Sequence, residues 1–373
     1  MSRTILWAGI SWGHTGIHSG MAPLSREIDL LAPGLIRRIE WDERRPAFFT
    51  RLGRRLRMSL GVGTPVPEWI TFTKENPLYS ESSWMLEREI AAMVSELSPC
   101  AVMLESIDDQ LFLLAKKKAS WKDTRLVGVC HQPPAWWRLN HARPDMVSAL
   151  DLLVVVASTV KPYWEQFIDG DRIRVIPHGV DCEFFCPSEP ERSLLSDDRN
   201  LRAVFCGQWL RDFETMAAVV AIADQLNLPV YFEMIVPRQS RGQEACYKMA
   251  MSSRVRWYSD LTDEDLRRVY QQSDLLLLPL RDSTANNGLL EGMACGLPVI
   301  ITDVGGVRNY AKEDFADFVP PDDPAGIVKI LKSYVNQRTK LAVRGRSARA
   351  HAENVLSWRR IASEYIRALE SLS

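Results

Sequence analysis

Ser273-Asp-Leu-Leu-Leu-Leu-Pro-Leu-Arg-Asp-Ser-Thr-Ala-Asn-Asn-Gly-Leu-Leu-Glu-Gly-Met-Ala-Cys-Gly-Leu-Pro-Val-Ile-Ile-Thr-Asp-Val-Gly-Gly306 is the stretch on which the fold turns. It reads as a buried strand over Leu275–Pro279, a polar loop, a short helix over Gly288–Cys295 and a second buried strand over Pro298–Thr302. Continuous apolar runs of this length, without polar alternation, suit parallel strands covered on both faces. The loop 283–288 then lies at the carboxyl end of a strand and at a helix N-terminus. Unpaired N–H groups and the positive end of the helix dipole meet there, a place where phosphate docks. Glu291 falls in the first turn of that helix. A carboxylate so placed holds two adjacent ribose hydroxyls, or it is only a helix-start acid favoured by the dipole at about 0.3–1 kcal/mol. Spacing does not choose between the two.

The same alternation extends outward in both directions. Toward the N-terminus, Ile5–Ile10, Ala101–Glu105, Arg125–Cys130, Leu152–Ala157 and Ile173–Ile176 read as strands, with helices at Ser82–Leu97 and Lys161–Phe167. Around the central stretch, Arg202–Cys206, Val230–Ile235, Val255–Tyr258 and Phe315–Val319 add strands. Phe213–Leu226, Thr262–Gln272 and Pro324–Asn336 add helices. This is the α/β pattern of doubly wound parallel sheets. At 373 residues the chain exceeds the roughly 250–300 at which a single core stops growing. The expectation is two Rossmann-like domains, residues 1–185 and 186–350, separated by the polar segment Pro187–Asn200. A last helix near His351–Leu372, within residues 351–373, would return to the first domain.

Composition narrows the class. With 46 basic and 47 acidic side chains and a net charge of −1, no basic excess points to nucleic acid. A hydrophobic share of 46% argues against disorder. The apolar start at Ile5–Leu6–Trp7 is too short for a signal peptide, which with seven scattered cysteines leads us to expect a cytoplasmic protein. One segment departs from this even charge. Arg37–Arg57 carries eight arginines against three acids, interleaved with Trp41, Phe48, Phe49 and Leu52. Such a stretch suits peripheral contact with an anionic membrane, each exposed cation contributing about 1 kcal/mol. A solvated, arginine-rich helix or loop is the plainer alternative.

Here the sequence resembles a known family. Gly288-Leu-Leu-Glu-Gly-Met-Ala-Cys-Gly-Leu-Pro-Val-Ile300 with Thr302-Asp-Val-Gly-Gly306 is similar to the nucleotide-sugar signature of retaining GT-B glycosyltransferases, the large family numbered four (group 1 type). Val175-Ile-Pro-His-Gly-Val-Asp-Cys-Glu-Phe-Phe-Cys-Pro187, Val204-Phe-Cys-Gly-Gln-Trp209 and Val355-Leu-Ser-Trp358 resemble further segments of it, in the expected order. The likeness is strong from about residue 126 onward. It implies a GT-B fold, with two Rossmann-like domains facing each other across a cleft, the first binding acceptor and the second nucleotide-sugar. It also implies metal-independent chemistry with no cofactor beyond the donor. Carried over residue by residue, the catalytic positions are His131, Ser283 and Arg211. Donor contacts fall on Gly16, Gly207, Gln208, Arg211, Asn286, Asn287, Gly288 and Glu291. Three positions depart from the pattern. Ser283 stands where the family commonly has a first glutamate, Gly207-Gln208 where it has glycine–arginine, and Asn309 where a glutamate often follows the glycine pair.

Other residues keep two readings. Gly13-His-Thr-Gly-Ile-His-Ser-Gly20 follows the first strand, and its glycines permit close backbone approach to a ligand. It is not a dinucleotide fingerprint. His14 and His18 line a ligand or sit on a loop surface. Trp136 and Trp137 stack on sugar or fill the core. Asp169-Gly-Asp171 has the spacing of a metal-binding pair but sits on a polar turn. The expected function is transfer of a sugar from a nucleotide-sugar donor to a saccharide or lipid-linked saccharide acceptor. Its setting would be polysaccharide or glycolipid assembly at the inner face of a membrane. The rivals are a catalytically silent partner subunit that binds nucleotide, and a nucleotide-sugar epimerase.

Overall fold

Runs of three to seven residues, most of them apolar, become the strands of two parallel sheets. The first contains β1 (Ile5–Ser11), β2 (Ile36–Asp42), β3 (Ala101–Leu104), β4 (Arg125–Cys130), β5 (Leu152–Val155) and β6 (Ile173–Val175), in the order β2-β1-β3-β4-β5-β6. The second contains β7 (Leu201–Cys206), β8 (Val230–Ile235), β9 (Val255–Tyr258), β10 (Leu275–Leu278), β11 (Val299–Thr302) and β12 (Ala316–Val319), in the order β12-β11-β10-β7-β8-β9. Every pairing is parallel. This computed structural model describes residues 4–11, 16–42, 69–140, 143–188 and 200–372.

The chain forms two compact units. The first comprises residues 1–16, 24–176 and 362–373, and the second residues 17–23 and 177–361. The crossover therefore falls between Ile176 and Pro177, nine residues before the 185/186 boundary read from the sequence. The segment Pro177–Pro187 packs its Val180 and Phe185 into a second-unit core cluster, which explains the shift. Ile17–Pro23 also sits with the second unit, although it follows β1 in the chain.

Each unit has its own interior. Leu275, Leu276, Leu277 and Leu278 of β10 are fully buried, as a strand covered on both faces requires. In the first unit Trp136 and Trp137, on the Pro134–Asn140 helix, are buried in the core. The rings of Trp137 and Trp164 meet edge to face at 4.8 Å. The pair is core, and offers no face for sugar stacking. Asp169 caps, and Asp171 lies within, a single 3-10 turn over Gly170–Arg172, where Arg172 pairs with Asp169 at 3.6 Å.

Two further expectations change. The start of the arginine-rich stretch is an edge strand, β2, rather than a helix or loop. Its Trp41 is half-buried, donates to Glu89 Oε2 at 2.6 Å and packs on the first core. Residues 43–68, which hold Phe48, Phe49 and Arg44 through Arg57, lie outside the described residues. The C-terminal helix is also not continuous. A helix over Arg338–His351 runs into a π turn, Ala352–Leu356, and a new helix spans Trp358–Glu370. The break lies at Ser357, which is extended because its neighbours bond to another segment. Val180 donates to the Leu356 carbonyl at 2.8 Å, and Trp358 donates to the Val180 carbonyl at 3.1 Å. A Cβ on Gly179 would stand 2.5 Å from the Trp358 ring, so that crossing needs glycine. No described helix is long and apolar enough to cross a membrane.

Candidate functional site

In an open parallel sheet, ligands gather beyond the carboxyl ends of the strands where the winding direction reverses. In the second sheet that reversal lies between β7 and β10. Two loops meet there: Gly207–Asp212 after β7, and Pro279–Asn286 after β10. Gly207 turns the chain at φ +98°, a conformation that favours glycine, and a Cβ there would come within 2.7 Å of Arg211 Nη2. Arg211 can therefore fold back against the end of β7. Its Nε donates to the Cys206 carbonyl at 2.7 Å, Nη1 to the Trp209 carbonyl at 2.9 Å, and Nη2 to Asn286 Oδ1 at 2.9 Å. None of these acceptors is a carboxylate. The guanidinium is held in one place with its charge unneutralised by them, and burial lowers its pKa from the ordinary value.

Asn286 caps the Asn287–Ala294 helix. Its Oδ1 accepts from Leu289 N–H at 3.2 Å as well as from Arg211. Two donors on Oδ1 fix the orientation of the amide, and Nδ2 is then a buried donor with no partner. Gly288 completes the cradle: a Cβ there would lie 3.3 Å from Cys206 Cβ and 3.5 Å from Asn286 Oδ1. A fixed cation, an unsatisfied amide donor and a helix N-terminus thus share one small region. Together they would bind an anion.

Glu291 is the fifth residue of this helix, which begins at Asn287 and has no acid in its first turn. The helix-start reading therefore fails. The carboxylate is 5% exposed and accepts two hydroxyl bonds, from Ser19 Oγ to Oε1 at 2.7 Å and from Tyr270 to Oε2 at 2.9 Å. Burial raises its pKa, against those two bonds. Two hydroxyls on two carboxylate oxygens is the geometry that a ribose diol demands. Neither Tyr270 nor Ser19 was legible beforehand. Tyr270 reads as an ordinary apolar position of the Asp263–Gln272 helix, and Ser19 is one polar residue in a glycine-rich loop.

The remaining predicted residues divide. Ser283 is buried and its carbonyl accepts from Gly306 N–H at 2.7 Å. A Cβ on Gly305, at φ +53°, would stand 2.1 Å from that carbonyl, so the glycine pair exists to pack on Ser283. Asn287 is exposed on the first turn of its helix. Gln208 turns away: it is exposed, and its Oε1 accepts from Ser240. Arg308, a substitute cation, is engaged by Asp303 at 2.8 Å and Glu313 at 3.3 Å. Arg281 is exposed, 3.9 Å from Asp212. Asn309 lies on the short helix after the glycine pair. Gly16 and His131 belong to the first unit. Gly13 and His14 lie outside the described residues.

His131 follows β4. Its Nε2 meets the Glu105 carbonyl at 2.7 Å, and a carbonyl only accepts, so Nε2 carries hydrogen and Nδ1 is the acceptor side of the ring. Burial lowers its pKa and keeps it neutral. The first unit also holds buried acids that sequence reading missed, two of which, Glu105 and Asp108, meet His131. Glu105 accepts from Trp7 Nε1 at 2.5 Å, and Asp108 Oδ2 accepts from His131 N–H at 3.3 Å. Glu87 accepts from Tyr79 at 2.6 Å and from Leu113 N–H at 2.8 Å. Neither carboxylate oxygen of Asp109 meets a donor in good geometry. Burial pushes each of Glu87, Glu105, Asp108 and Asp109 up to about 7.

The family model described as "Glycosyl transferases group 1" matches residues 201–337. The D-inositol 3-phosphate glycosyltransferase of Salinispora tropica is 25% identical over 221 residues, 53% of this chain and 46% of that protein. Its counterpart in Rhodococcus erythropolis is 29% identical over 208 residues, 51% of this chain and 46% of that protein. The chain thus spans about half the length of the curated relatives it matches. Among solved structures, sucrose-phosphate synthase of Thermosynechococcus elongatus has a TM-score of 0.74 at 14% identity, covering 99% of this chain and 100% of that one. Anabaena HepE in complex with UDP has a TM-score of 0.69 at 13% identity, covering all of both. At such identities the likeness is one of fold. With its two Rossmann-like units the chain has the GT-B fold, and its residues 201–337 match the model of the group 1 glycosyl transferases.

Proposed function

We propose that this protein is a glycosyltransferase that takes a sugar from a nucleoside-diphosphate sugar and passes it, with retained anomeric configuration, to a saccharide or lipid-linked saccharide. The observation that carries this reading is the Arg211–Asn286–Gly288 cradle beside Glu291. The cradle would hold the diphosphate, while Glu291 would hold the ribose hydroxyls. Relatives named as glycosyltransferases, and neighbours solved with UDP and with UDP-glucose, support the donor class.

In the proposed reaction an acceptor oxygen bonds to the anomeric carbon on the face from which the diphosphate departs. The bond from that carbon to the β-phosphate oxygen breaks, and the departing oxygen takes the acceptor's proton. The protein then needs no nucleophile of its own. Its work is to stabilise charge on the leaving diphosphate through Arg211 and Asn286 Nδ2, and to orient the donor. For Ser283 and the neutral His131 the proposal is a polar contact to the transferred sugar. The lipid-linked alternative places the enzyme at the inner face of a membrane.

A thermal-shift screen of UDP, GDP, ADP and their hexose derivatives tests the donor reading. A ligand at 100 times its dissociation constant adds about 2.7 kcal/mol of apparent stability. No shift with any of them would overturn it. Nucleotide binding without transfer or hydrolysis of any donor would instead favour a silent subunit.

A further inference from the structure

Ile17–Gly20 follows β1 in the chain yet belongs with the second unit, and three contacts hold it there. The His18 ring stacks on Phe184 with centroids 3.7 Å apart and planes 6° from parallel. His18 Nδ1 donates to Asp181 Oδ2 at 2.7 Å, and His18 N–H donates to Asp263 Oδ2 at 3.3 Å. With the loop so fastened, Ser19 Oγ reaches Glu291 at 2.7 Å. The cavity left between Ser19, Gly20, Gly179, Asn287, Glu291 and Trp358 is about 10 Å³, room for one water and no more.

Glu291 is buried, and a buried carboxylate oxygen without a donor is costly. Tyr270, itself fully buried, serves one oxygen permanently. The other is served by Ser19, whose hydroxyl has the chemistry of a sugar hydroxyl. We propose that the Ile17–Gly20 loop is a built-in competitor for the nucleotide: Ser19 holds Glu291 in place of a ribose hydroxyl, and His18 straps the loop down on Phe184 and Asp181. Nucleotide binding then displaces Ser19 and frees the loop. The inference rests on the reading of Glu291 as the diol-binding group.

A loop that occupies the site most of the time lowers apparent affinity in proportion to the unoccupied fraction. Isothermal titration of the full chain with UDP, GDP and ADP measures this. Ser19→Ala and, separately, His18→Ala should each bind the preferred nucleotide about tenfold more tightly than the parent. Hydrogen exchange of residues 16–21 should rise when that nucleotide saturates the parent. Unchanged or weaker binding in both variants, or unchanged exchange, overturns the strap. If the parent binds none of the three, the double variant must gain binding, and failure to do so overturns the proposal as well. Glu291→Gln separates the two levels. If it binds as tightly as the parent, the diol reading itself falls; if it binds more weakly while Ser19→Ala gains nothing, only the strap falls.

Discussion

The two sheets reverse their winding at equivalent places, between β1 and β3 in the first unit and between β7 and β10 in the second, but the side chains near their carboxyl strand ends differ. Beyond β7 and β10 stand a fixed guanidinium, an unsatisfied amide donor and a helix N-terminus. Beyond β3 and β4 stand buried acids with pKa values pushed to about 7, together with a neutral histidine. One topology thus carries two sets of side chains, a buried cation with amide and backbone donors in one unit and buried acids with a histidine in the other. Topology determines where a ligand can approach. The side chains at the strand ends determine which ligand it is.

The sharpest way to break that contrast is Arg211→Ala. If the second unit's switch point holds a diphosphate, sugar transfer should fall on the order of 10²–10³-fold, since one charge-stabilising group is lost from a preorganised site. Nucleoside-diphosphate affinity should fall with it, measured by titration. Unchanged turnover would move the anion site elsewhere and dissolve the comparison.

The first unit makes a smaller, thermodynamic prediction. A carboxylate whose folded pKa exceeds its unfolded value, about 4, binds a proton more readily when folded. Stability contributed by Glu87, Glu105, Asp108 and Asp109 is therefore full at low pH and lost as pH rises through about 7. His131, held neutral by burial, works in the opposite direction below about pH 6.5, so the clean window is pH 6.5–8. The unfolding midpoint should fall across that window. Asp109→Asn should raise stability at pH 8 by about 1–3 kcal/mol and flatten the slope. A midpoint that rises with pH, or a variant no more stable than the parent, would show these acids to be ordinary.

The smallest effect concerns the arginine-rich stretch. If its cations meet an anionic membrane, the protein should sediment with phosphatidylserine-containing liposomes at low salt and release as salt screens beyond roughly 8 Å. Charge reversal at Arg54, Arg55 and Arg57 should abolish the binding and lower activity on a lipid-linked acceptor. Protein left in the supernatant, with activity intact, would assign those arginines to solvent.

Sequence alone determined the α/β class, the strands of the second sheet to within a residue or two, and the loop–helix segment at Asn286–Gly288. These are local properties. Apolar runs, turn glycines and a capping asparagine act on neighbours in the chain, so they are written in order along it. The missed strand β2 shows the limit of that reasoning. Ile36-Arg-Arg-Ile-Glu-Trp-Asp42 lies on a sheet edge, where exposed arginines are tolerated, and its charge hid its period. Tertiary structure alone decided what Glu291 is. Its carboxylate meets a hydroxyl 272 positions away in Ser19 and another 21 positions away in Tyr270, and nothing in its own helix announces either. It likewise decided between core and ligand for Trp136 and Trp137, and brought Gly179 against Trp358. Those outcomes depend on which distant atoms share a desolvated space, where the cost of leaving a polar group unpaired is set by everything around it.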